Sequence, residues 1–591
     1  MLLKELIRFS TQHRTLHCYL LLSIWIFLLI AELIFSGMYK YIGYNGNSLS
    51  STFRFLNGES HSQSFSEAAQ YSEDVESETQ EKTLLKYSKF KERCAPLGQL
   101  VRHDDGGILD GWKLQGVLMV IRHGDRGPMS HMRDVMGIDC GMNNNGLVNR
   151  YRSFLYNSTS SSSSNHMYWN KVGPFHGFPL LPASERACLL GQLTFKGVAQ
   201  MLHVGDILHQ IYAHPLGLLI KQTSNRSSMG GASTPNSLLN SDEVVLFSTR
   251  YRRTFQSALA LLFTFLPNEK WLSLNIRESH SMAFCFTDCA CQQAEVLLKR
   301  RKVEQKLNLT FQPDISKVIQ WVGGTLLQQT PNGVNNVHDV LDVLNTVLCH
   351  DAPLPCRHSI LNNTQLFSTT QLNAIDLNDV INIDQDEQVG NLVETHYVPE
   401  KALNDEADGQ NVMGCVEQSH VTALMAYANW QSTQNAEHVY YKRIGLLRAY
   451  GMMRHVVSYM LRMISGDRTK FVLYSGHDWT LQYLTAALGI RTGNTFISYA
   501  TRLAFELYKS ETHTDYYFRA VYNGRDVTQQ IDFCEGGKSL RITRDSRGNK
   551  ADLCPIENII RFLHEDYFSS LNATNFKDAC SPSSPHKDTD F

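Results

Sequence analysis

The chain has 591 residues, of which 43% are hydrophobic and 19% are charged, and its formal net charge is −2. This balance is typical of a globular protein with a sizeable core, and it argues against a general polyanion binder such as a nucleic-acid protein. A local cationic pocket remains compatible with it, because net charge averages over the whole surface.

The first pattern along the chain is an apolar run at residues 16–35, with Glu32 as its one charged residue. Its length suits a bilayer core. Basic side chains before such a run favour the cytosolic side, and three precede it: Lys4, Arg8 and Arg14. We therefore predict a type II membrane protein. A cleaved signal peptide is the less favoured alternative, because the run is longer than a usual signal core and no small-x-small cleavage site follows cleanly.

Composition shifts and element patterns then divide the chain. The stretch after the apolar run is polar and rich in Ser, Glu and Gln, which is typical of a flexible stem. The region between two α/β-patterned parts carries cysteines and many Asn and Asp residues, and we assign it to a mostly helical cap. The predicted parts are a cytosolic tail (1–15), a transmembrane signal anchor (16–39), a stem (40–93), an α/β core (94–284 and 421–580), a cap insertion (285–420) and a C-terminal tail (581–591).

Thirteen cysteines are present, and twelve of them follow the predicted anchor, which itself contains Cys18. An even lumenal count favours disulfides in an oxidising compartment. The cluster of Cys285, Cys289 and Cys291 is a weak zinc candidate, because it has no histidine partners and a C-x-C spacing. We predict no metal site. Five N-x-S/T sequons are candidate glycosylation sites: Asn157, Asn225, Asn308, Asn362 and Asn572.

Short apolar strands alternate with helical patterns in the core, which predicts an α/β fold with a central, mainly parallel sheet flanked by helices. Three units consist of an apolar strand followed by polar residues. The strands are predicted at 116–121, 243–247 and 471–474. Helices are predicted at 193–212, 252–265, 337–348, 440–463 and 479–488, with Gly489 ending the last, and further strands at 502–507 and 516–522.

The first strand leads into the sequence RHGDRGP, residues 122–128. Arg122 and Arg126 bracket His123, and guanidinium groups match phosphate oxygens while keeping their charge. A neutral imidazole between them could attack phosphorus and form a phosphohistidine. Pro128 could open a helix whose N–H groups face the anion. We predict that His123 is the nucleophile.

The other two strand ends supply complementary groups. Arg253 is predicted at a helix start, where an anion meets both its side chain and the helix N-terminus. His477 could hold a phosphate oxygen, and Asp478 could protonate the leaving group and then activate water. Because ligands bind at the carboxyl ends of strands in open α/β sheets, we expect these groups to converge. No cofactor is required if arginines neutralise the phosphate.

Each of these residues alone is more often ordinary surface. A Ser-Gly-His-Asp turn could also serve only to cap the next helix, through Ser475 or Asp478. Asp125 could be a solvated loop charge or a local hydrogen-bond acceptor. Two arginines bracketing a histidine directly after a buried strand have no evident packing purpose, so the combination favours catalysis.

These motifs resemble those of the histidine acid phosphatases. Residues 122–128 are similar to the family's RHGxRxP signature, His477-Asp478 to its HD pair, residues 193–197 (LTFKG) to its LTxxG helix, and residues 253–258 to its RTxxSA segment. The resemblance implies that Asp478 is the proton donor. It also implies a phosphate pocket, formed by Arg122, His123, Arg126, Arg253 and His477.

A narrower resemblance, carried by cysteine-bearing segments such as 348–356 and 554–558, is to Golgi type II members that act on phosphorylated xylose. It implies removal of the 2-phosphate from xylose in the glycosaminoglycan–protein linkage region of proteoglycan core proteins. A broad-specificity lumenal or lysosomal-type acid phosphatase is the alternative with the same chemistry. An inactive phosphoglycan-binding protein is the alternative from another class. A Golgi glycosyltransferase as a protein partner stays open.

Overall fold

We describe a computed structural model of the chain. The described residues are 90–107, 111–142, 145–159, 173–219, 243–268, 271, 274–287, 289–328, 337–356, 414–492, 496–544 and 548–581. Two compact units are present: Met1–Pro353 with Glu417–Phe591, and Leu354–Val416. The predicted tail and anchor, and the stem as far as residue 89, lie outside the described residues. Among the helices that are described, none is long and apolar enough to span a membrane.

The strands of the described residues form one mixed sheet with the order β3-β2-β4-β1-β5-β6-β9-β8, and β7 pairs with β6. The half formed by β3, β2, β4 and β1 is parallel, and the half from β5 onward is antiparallel. The strands are β1 Trp112–Arg122, β2 Val244–Thr249, β3 Asn275–Ser279, β4 Phe471–Gly476, β5 Arg502–Ser510, β6 Tyr516–Tyr522, β7 Arg525–Asp526, β8 Leu540–Thr543 and β9 Lys550–Pro555.

Helices flank this sheet, so the predicted α/β class with a mostly parallel core is confirmed. The α-helices of the described residues are α1 Gly146–Thr159, α2 Phe195–Leu208, α3 Arg252–Phe265, α4 Gln292–Thr310, α5 Pro313–Leu326, α6 Val337–Cys349, α7 Gln418–Glu437, α8 Val439–Ile464, α9 Asp478–Leu488, α10 Ile556–Arg561 and α11 Phe576–Cys580. Helix α9 ends at Gly489, whose φ of +73° permits the left-handed turn.

Strand β1 shows why its apolar run forms a central strand. Val117, Met119 and Ile121 face a core cluster that includes α2 and α3. Leu118 and Val120 face a second cluster that includes α8. Both faces are therefore covered by helices, and a continuous apolar run is what such a strand needs.

Two local predictions require correction. No helix begins at Pro128: Gly127 N donates to Gln192 O at 2.9 Å, and Pro128 O accepts from Gly191 N at 2.7 Å. The segment therefore pairs with a neighbouring loop instead of winding. The helix predicted at 193–212 is α2 followed by one wider turn, His209–Ala213.

All twelve cysteines after the predicted anchor pair as disulfides, so Cys285, Cys289 and Cys291 are bonded to sulfur rather than free as thiolates. The pairs are Cys94–Cys349, Cys140–Cys188, Cys285–Cys289, Cys291–Cys580, Cys356–Cys415 and Cys534–Cys554. Three sequon asparagines, Asn157, Asn308 and Asn572, are exposed, as acceptors must be. Asn225 and Asn362 lie outside the described residues, and glycosylation at all five remains a prediction.

A buried ionic cluster anchors the loop before β1 to the antiparallel half of the sheet. Glu506 on β5 pairs with Arg519 on β6 at 2.6 Å, and neither side chain is exposed. Glu506 also accepts hydrogen bonds from Tyr212 and Tyr508 and from the backbone N–H of Gly106. A carboxylate this deeply buried depends on its full set of partners, because an unpaired buried charge is costly.

We expect Arg519→Met to lower the free energy of unfolding by about 3–5 kcal/mol, because it leaves Glu506 buried without its cation. The matched control is Arg462→Met, whose pair with Asp467 is partly exposed and should contribute under about 1 kcal/mol. Urea unfolding of the full-length variants measures both. Equal losses of unfolding free energy in the two variants would contradict the conclusion that the buried Glu506 depends on Arg519.

Candidate active site

The register of three parallel strands brings the predicted site residues together. Strand β4 lies between β1 and β2, with Arg122 opposite Gly476 and Ser248 opposite Ser475. The next residue, His123, donates its backbone N–H to Gly476 O at 3.1 Å. The loops that follow these strands therefore start side by side at one edge of the sheet.

Helix α2 sets the path of the loop that follows β1. A Cβ atom on Gly197 would lie 2.2 Å from Asp125 O, and one on Gly124 would lie 2.4 Å from Gly197 O. The backbone N–H of Asp125 donates to Gln200 at 2.7 Å, and Asp125 accepts from Thr194, the N-cap residue of α2, at 2.6 Å. Gly124 of the RHGDRGP motif and Gly197 of the LTFKG motif thus allow a backbone contact that no side chain would permit.

His123 is buried and in the form that a nucleophile requires. Its Nδ1 lies 2.7 Å from Gly124 O. A carbonyl oxygen only accepts, so Nδ1 carries the proton and Nε2 carries the lone pair. Burial, together with Arg253 and Arg122, holds the pKa of His123 well below its usual value. The downward shift of this pKa favours the neutral imidazole.

Arg122 and Arg126 are each fixed by a carboxylate. Arg122 Nη2 lies 3.1 Å from Asp478 Oδ2, and its guanidinium carbon lies 4.3 Å from the centroid of the Tyr499 ring. Arg126 Nη2 lies 2.6 Å from Asp342 Oδ1. Both guanidinium groups are thus held in one orientation before any anion arrives.

Arg253 and His477 form the third part of the site. Arg253 Nη2 lies 3.3 Å from His477 Nδ1, and His477 Nε2 lies 3.0 Å from Thr249 Oγ1. Arginine can only donate, so Nδ1 accepts and the proton of His477 is on Nε2. Burial and nearby Arg253 lower the pKa of His477, and it is neutral. In this arrangement His477 orients Arg253, and its predicted contact with a phosphate oxygen stays a prediction.

The site has hydrogen-bond donors suited to an oxyanion. Nε of Arg122 and Nε of Arg253 are buried and lack a hydrogen-bond partner among the described residues. Burial and nearby Arg126 also lower the pKa of Arg253 to about 10. A bound anion would accept hydrogen bonds from these buried donors and would reduce the repulsion between the guanidinium groups.

Asp478 is the most accessible member of the group, with 34% of its side chain exposed. Burial raises the pKa of its carboxyl, but Arg122 and Arg126 outweigh that effect and hold the pKa below its ordinary value. The turn does cap α9, but through His477 and Thr480 rather than through Ser475 or Asp478. His477 holds the N-cap position and donates its backbone N–H to Thr480 Oγ1 at 3.0 Å, whereas Ser475 Oγ donates to Thr254 O at 2.7 Å.

Three residues of the site were missed by the sequence analysis. Asp342 on α6 holds Arg126 and also accepts from Met129 N at 2.6 Å. Tyr499 packs against Arg122 and lies 6.0 Å from the His123 ring. His350, directly after α6, lies 2.9 Å from Asp125 with both side chains buried. Asp125 is therefore a buried acceptor rather than a solvated charge. No local pattern marked these residues, because each acts across a long stretch of chain.

The described residues contain no group of three or more His, Cys, Asp or Glu side chains that could hold a metal ion. The site combines three guanidinium groups, two carboxylates and two neutral histidines: Arg122, Arg126, Arg253, Asp342, Asp478, His123 and His477. Together these groups can bind a phosphoryl group and supply both a nucleophile and a proton.

Comparison with known proteins identifies the family. Residues 113–523 match the model of the histidine phosphatase superfamily (branch 2), which is more than half of the chain. The chain belongs to this superfamily. This histidine phosphatase is 26% identical over 493 residues to 2-phosphoxylose phosphatase 1 of Xenopus tropicalis, covering 82% of this chain and 81% of the relative. The human protein of that name is 25% identical over 487 residues, an alignment that covers 81% of this chain and 83% of the human protein.

Among solved structures, a multiple inositol polyphosphate phosphatase of Bifidobacterium longum matches with a TM-score of 0.40 and 9% identity, covering 79% of this chain and 98% of the other. The superfamily and the residues at the strand ends together make this histidine phosphatase a phosphoric monoester hydrolase.

We expect Gly197→Ala to lower kcat/KM by more than tenfold and to lower stability as well, because a Cβ atom there meets the backbone of Asp125 and displaces it together with His123. Gly137→Ala is the matched control, since a Cβ atom at that position meets nothing within 4 Å. Steady-state hydrolysis of an aryl phosphate measures both, and circular dichroism checks folding. Unchanged activity in Gly197→Ala would show that the loop tolerates displacement.

Proposed function

We propose that this histidine phosphatase removes the 2-phosphate from xylose in the glycosaminoglycan–protein linkage region, through a phosphohistidine at His123. The neutral, buried His123 beside three guanidinium groups is the observation that carries the chemistry. The curated relatives named 2-phosphoxylose phosphatase 1, which align over about four fifths of the chain, support the substrate.

In the first step, the Nε2 lone pair of His123 attacks phosphorus, and an N–P bond forms as the P–O ester bond breaks. Asp478 gives its proton to the departing sugar oxygen. Arg122, Arg126 and Arg253 stabilise the charge on the non-bridging oxygens, and positioning with charge stabilisation is the main source of rate in phosphoryl transfer.

In the second step, water replaces the sugar. The Asp478 carboxylate accepts a proton from this water as its oxygen attacks phosphorus, and the N–P bond breaks. Inorganic phosphate leaves, His123 is again neutral, and Asp478 has recovered the proton that it gave in the first step.

The proposal extends to cellular placement. An anchor at 16–39, a stem at 40–93 and a cap at 285–420 would hold the core in the Golgi lumen, where linkage-region glycans on proteoglycan core proteins are extended. Pairing of all twelve cysteines after the anchor supports an oxidising lumen. Dephosphorylation there would promote glycosaminoglycan synthesis, and a glycosyltransferase that extends the chain is the protein partner that this role suggests.

The first test is phosphate release by the full chain, purified in mild detergent, from a linkage-region glycan bearing 2-phosphoxylose and from a generic aryl phosphate. We expect preferential release from the glycan and at least a 10³-fold loss in His123→Ala, because the nucleophile is removed. His513→Ala, at an exposed histidine, is the control. Similar kcat/KM values on both substrates would instead indicate a broad acid phosphatase, and no release would indicate a binding protein.

The second test concerns pH. A bound phosphate offsets the guanidinium charges that lower the pKa of Asp478, so that pKa rises in the complex. The general acid is then protonated in acid and loses its proton as pH rises. We expect kcat on the sugar ester to be higher at pH 5 than at pH 8.

Asp478→Asn should lower kcat on the sugar ester by about 10²–10⁴-fold, but much less on p-nitrophenyl phosphate, whose leaving group needs no proton. The pH–rate profiles of both proteins on both esters measure this. Equal losses on the two esters would remove Asp478 from the role of general acid.

A further inference from the structure

Four large apolar side chains are exposed around the phosphate site, and each follows a different parallel strand. Met129 follows β1, Tyr251 follows β2, Met282 follows β3 and Trp479 follows β4, with exposures of 47%, 40%, 42% and 45%. These strands are parallel neighbours, so their carboxyl ends share one edge of the sheet. We call these four residues the rim.

Contacts tie each rim residue to the catalytic groups. The Tyr251 ring lies 4.9 Å from the His477 ring, and Arg253 lies 4.6 Å from the Tyr251 ring centroid. Trp479 directly follows Asp478 and donates its backbone N–H to that carboxylate at 2.8 Å. The Tyr251 ring therefore lies beside groups that bind phosphate. The backbone of Trp479 lies against the proton donor, and its exposed ring packs 5.9 Å from the ring of Tyr483.

Backbone contacts connect the other two rim residues to side chains that hold catalytic groups. Met282 O accepts a hydrogen bond from Thr480, whose hydroxyl also accepts from the backbone N–H of His477. Met129 N donates to Asp342, the carboxylate that holds Arg126. The rim residues therefore belong to the same loops as the catalytic groups.

The position of the proton donor indicates which part of the substrate contacts the rim. Asp478 can protonate the ester oxygen only if the leaving group lies on its side of the phosphorus, and Trp479 is the exposed side chain next to it. The C–H face of a pyranose ring is apolar, whereas its hydroxyls are polar. An exposed indole matches such a ring, because a flat aromatic side chain offers a large apolar surface at low entropic cost.

We propose that the rim is the binding subsite for the pyranose ring of the leaving group, with Trp479 as its stacking platform. This inference rests on the proposed function and adds the residue that selects a sugar ester over a small acyclic ester. Exposed apolar surface is otherwise a liability in a secretory protein, and its placement around a catalytic pocket gives it a use.

The test measures binding separately from catalysis. Titration calorimetry in the His123→Ala background compares methyl xyloside 2-phosphate with inorganic phosphate, using the full chain. We expect the sugar ester to bind more tightly than phosphate. Adding Trp479→Ala should weaken sugar-ester binding about fivefold to tenfold, with phosphate binding unchanged, and Trp479→Phe should restore most of the loss.

A kinetic measurement with active enzyme checks the same assignment. Trp479→Ala should raise KM for the sugar ester by a larger factor than KM for glycerol phosphate, which has no pyranose ring to stack. Phe311→Ala is the matched control, because that aromatic side chain is 76% exposed at the end of α4. It should alter neither substrate.

Three outcomes would overturn the inference: equal binding of sugar ester and phosphate before the Trp479 change, an equal loss for both ligands after it, or a change of oligomeric state as its main effect. Failure of the proposed function is distinct from these. It would appear as phosphate release that does not depend on His123, while the calorimetric comparison would still report on the rim.

Discussion

Parallel pairing of β4 with both β1 and β2 is the constraint on which the site depends. It sets Arg122 opposite Gly476 and Ser248 opposite Ser475, so the nucleophile, the proton donor and the third arginine start from adjacent strand ends. A shift of one residue in β4 would turn every side chain of that strand to the opposite face. The apolar residues on both faces of β1 and β4 are buried in two cores, and this burial prevents such a shift.

Gathering three arginines at that edge has an electrostatic cost, which the surrounding residues reduce. Asp478 pairs with Arg122, and Asp342 pairs with Arg126. Arg253 has a neutral histidine as its neighbour instead, and its pKa is lowered to about 10 by burial and nearby Arg126. The guanidinium groups still outnumber the carboxylates, so a phosphate stabilises the site. The same cations suppress protonation of His123, and one charge arrangement therefore serves both binding and nucleophilicity.

Local patterns were enough to predict the elements that carry the chemistry. Helix α3 and strand β6 have the predicted bounds, and the strands that end before His123 and His477 were placed correctly because apolar runs covered on both faces are conspicuous. Pro128 shows the limit of such patterns. Proline suits a first helical turn, but here residues 127–128 form backbone hydrogen bonds with residues 191–192 and do not begin a helix.

Asp342 shows a second limit. Its partner Arg126 lies 216 residues earlier in the chain, and one acidic residue on an amphipathic helix resembles any solvated charge. The orientation of His477 was equally hidden, because it depends on Thr249 and Arg253 at once. Pairings of this kind become visible only when the chain has folded.

Helix α6 connects these long-range pairings into one support for the catalytic loop. Asp342 on this helix holds Arg126 and the backbone of Met129, and His350 at its end contacts Asp125. The Cys94–Cys349 disulfide fixes the same end of the helix. Asp342 lies within the helix, and His350 directly follows its last residue, Cys349.

Both contacts therefore reach the segment between His123 and Met129 from one rigid element. The loop that carries the nucleophile is held on one side by α2 and on the other by the side chains of Asp342 and His350. The α2 side requires glycine, because a Cβ atom at Gly124 or Gly197 would meet the backbone of the other segment. The other side requires the carboxylate of Asp342, because it holds Arg126 and the backbone of Met129 at once.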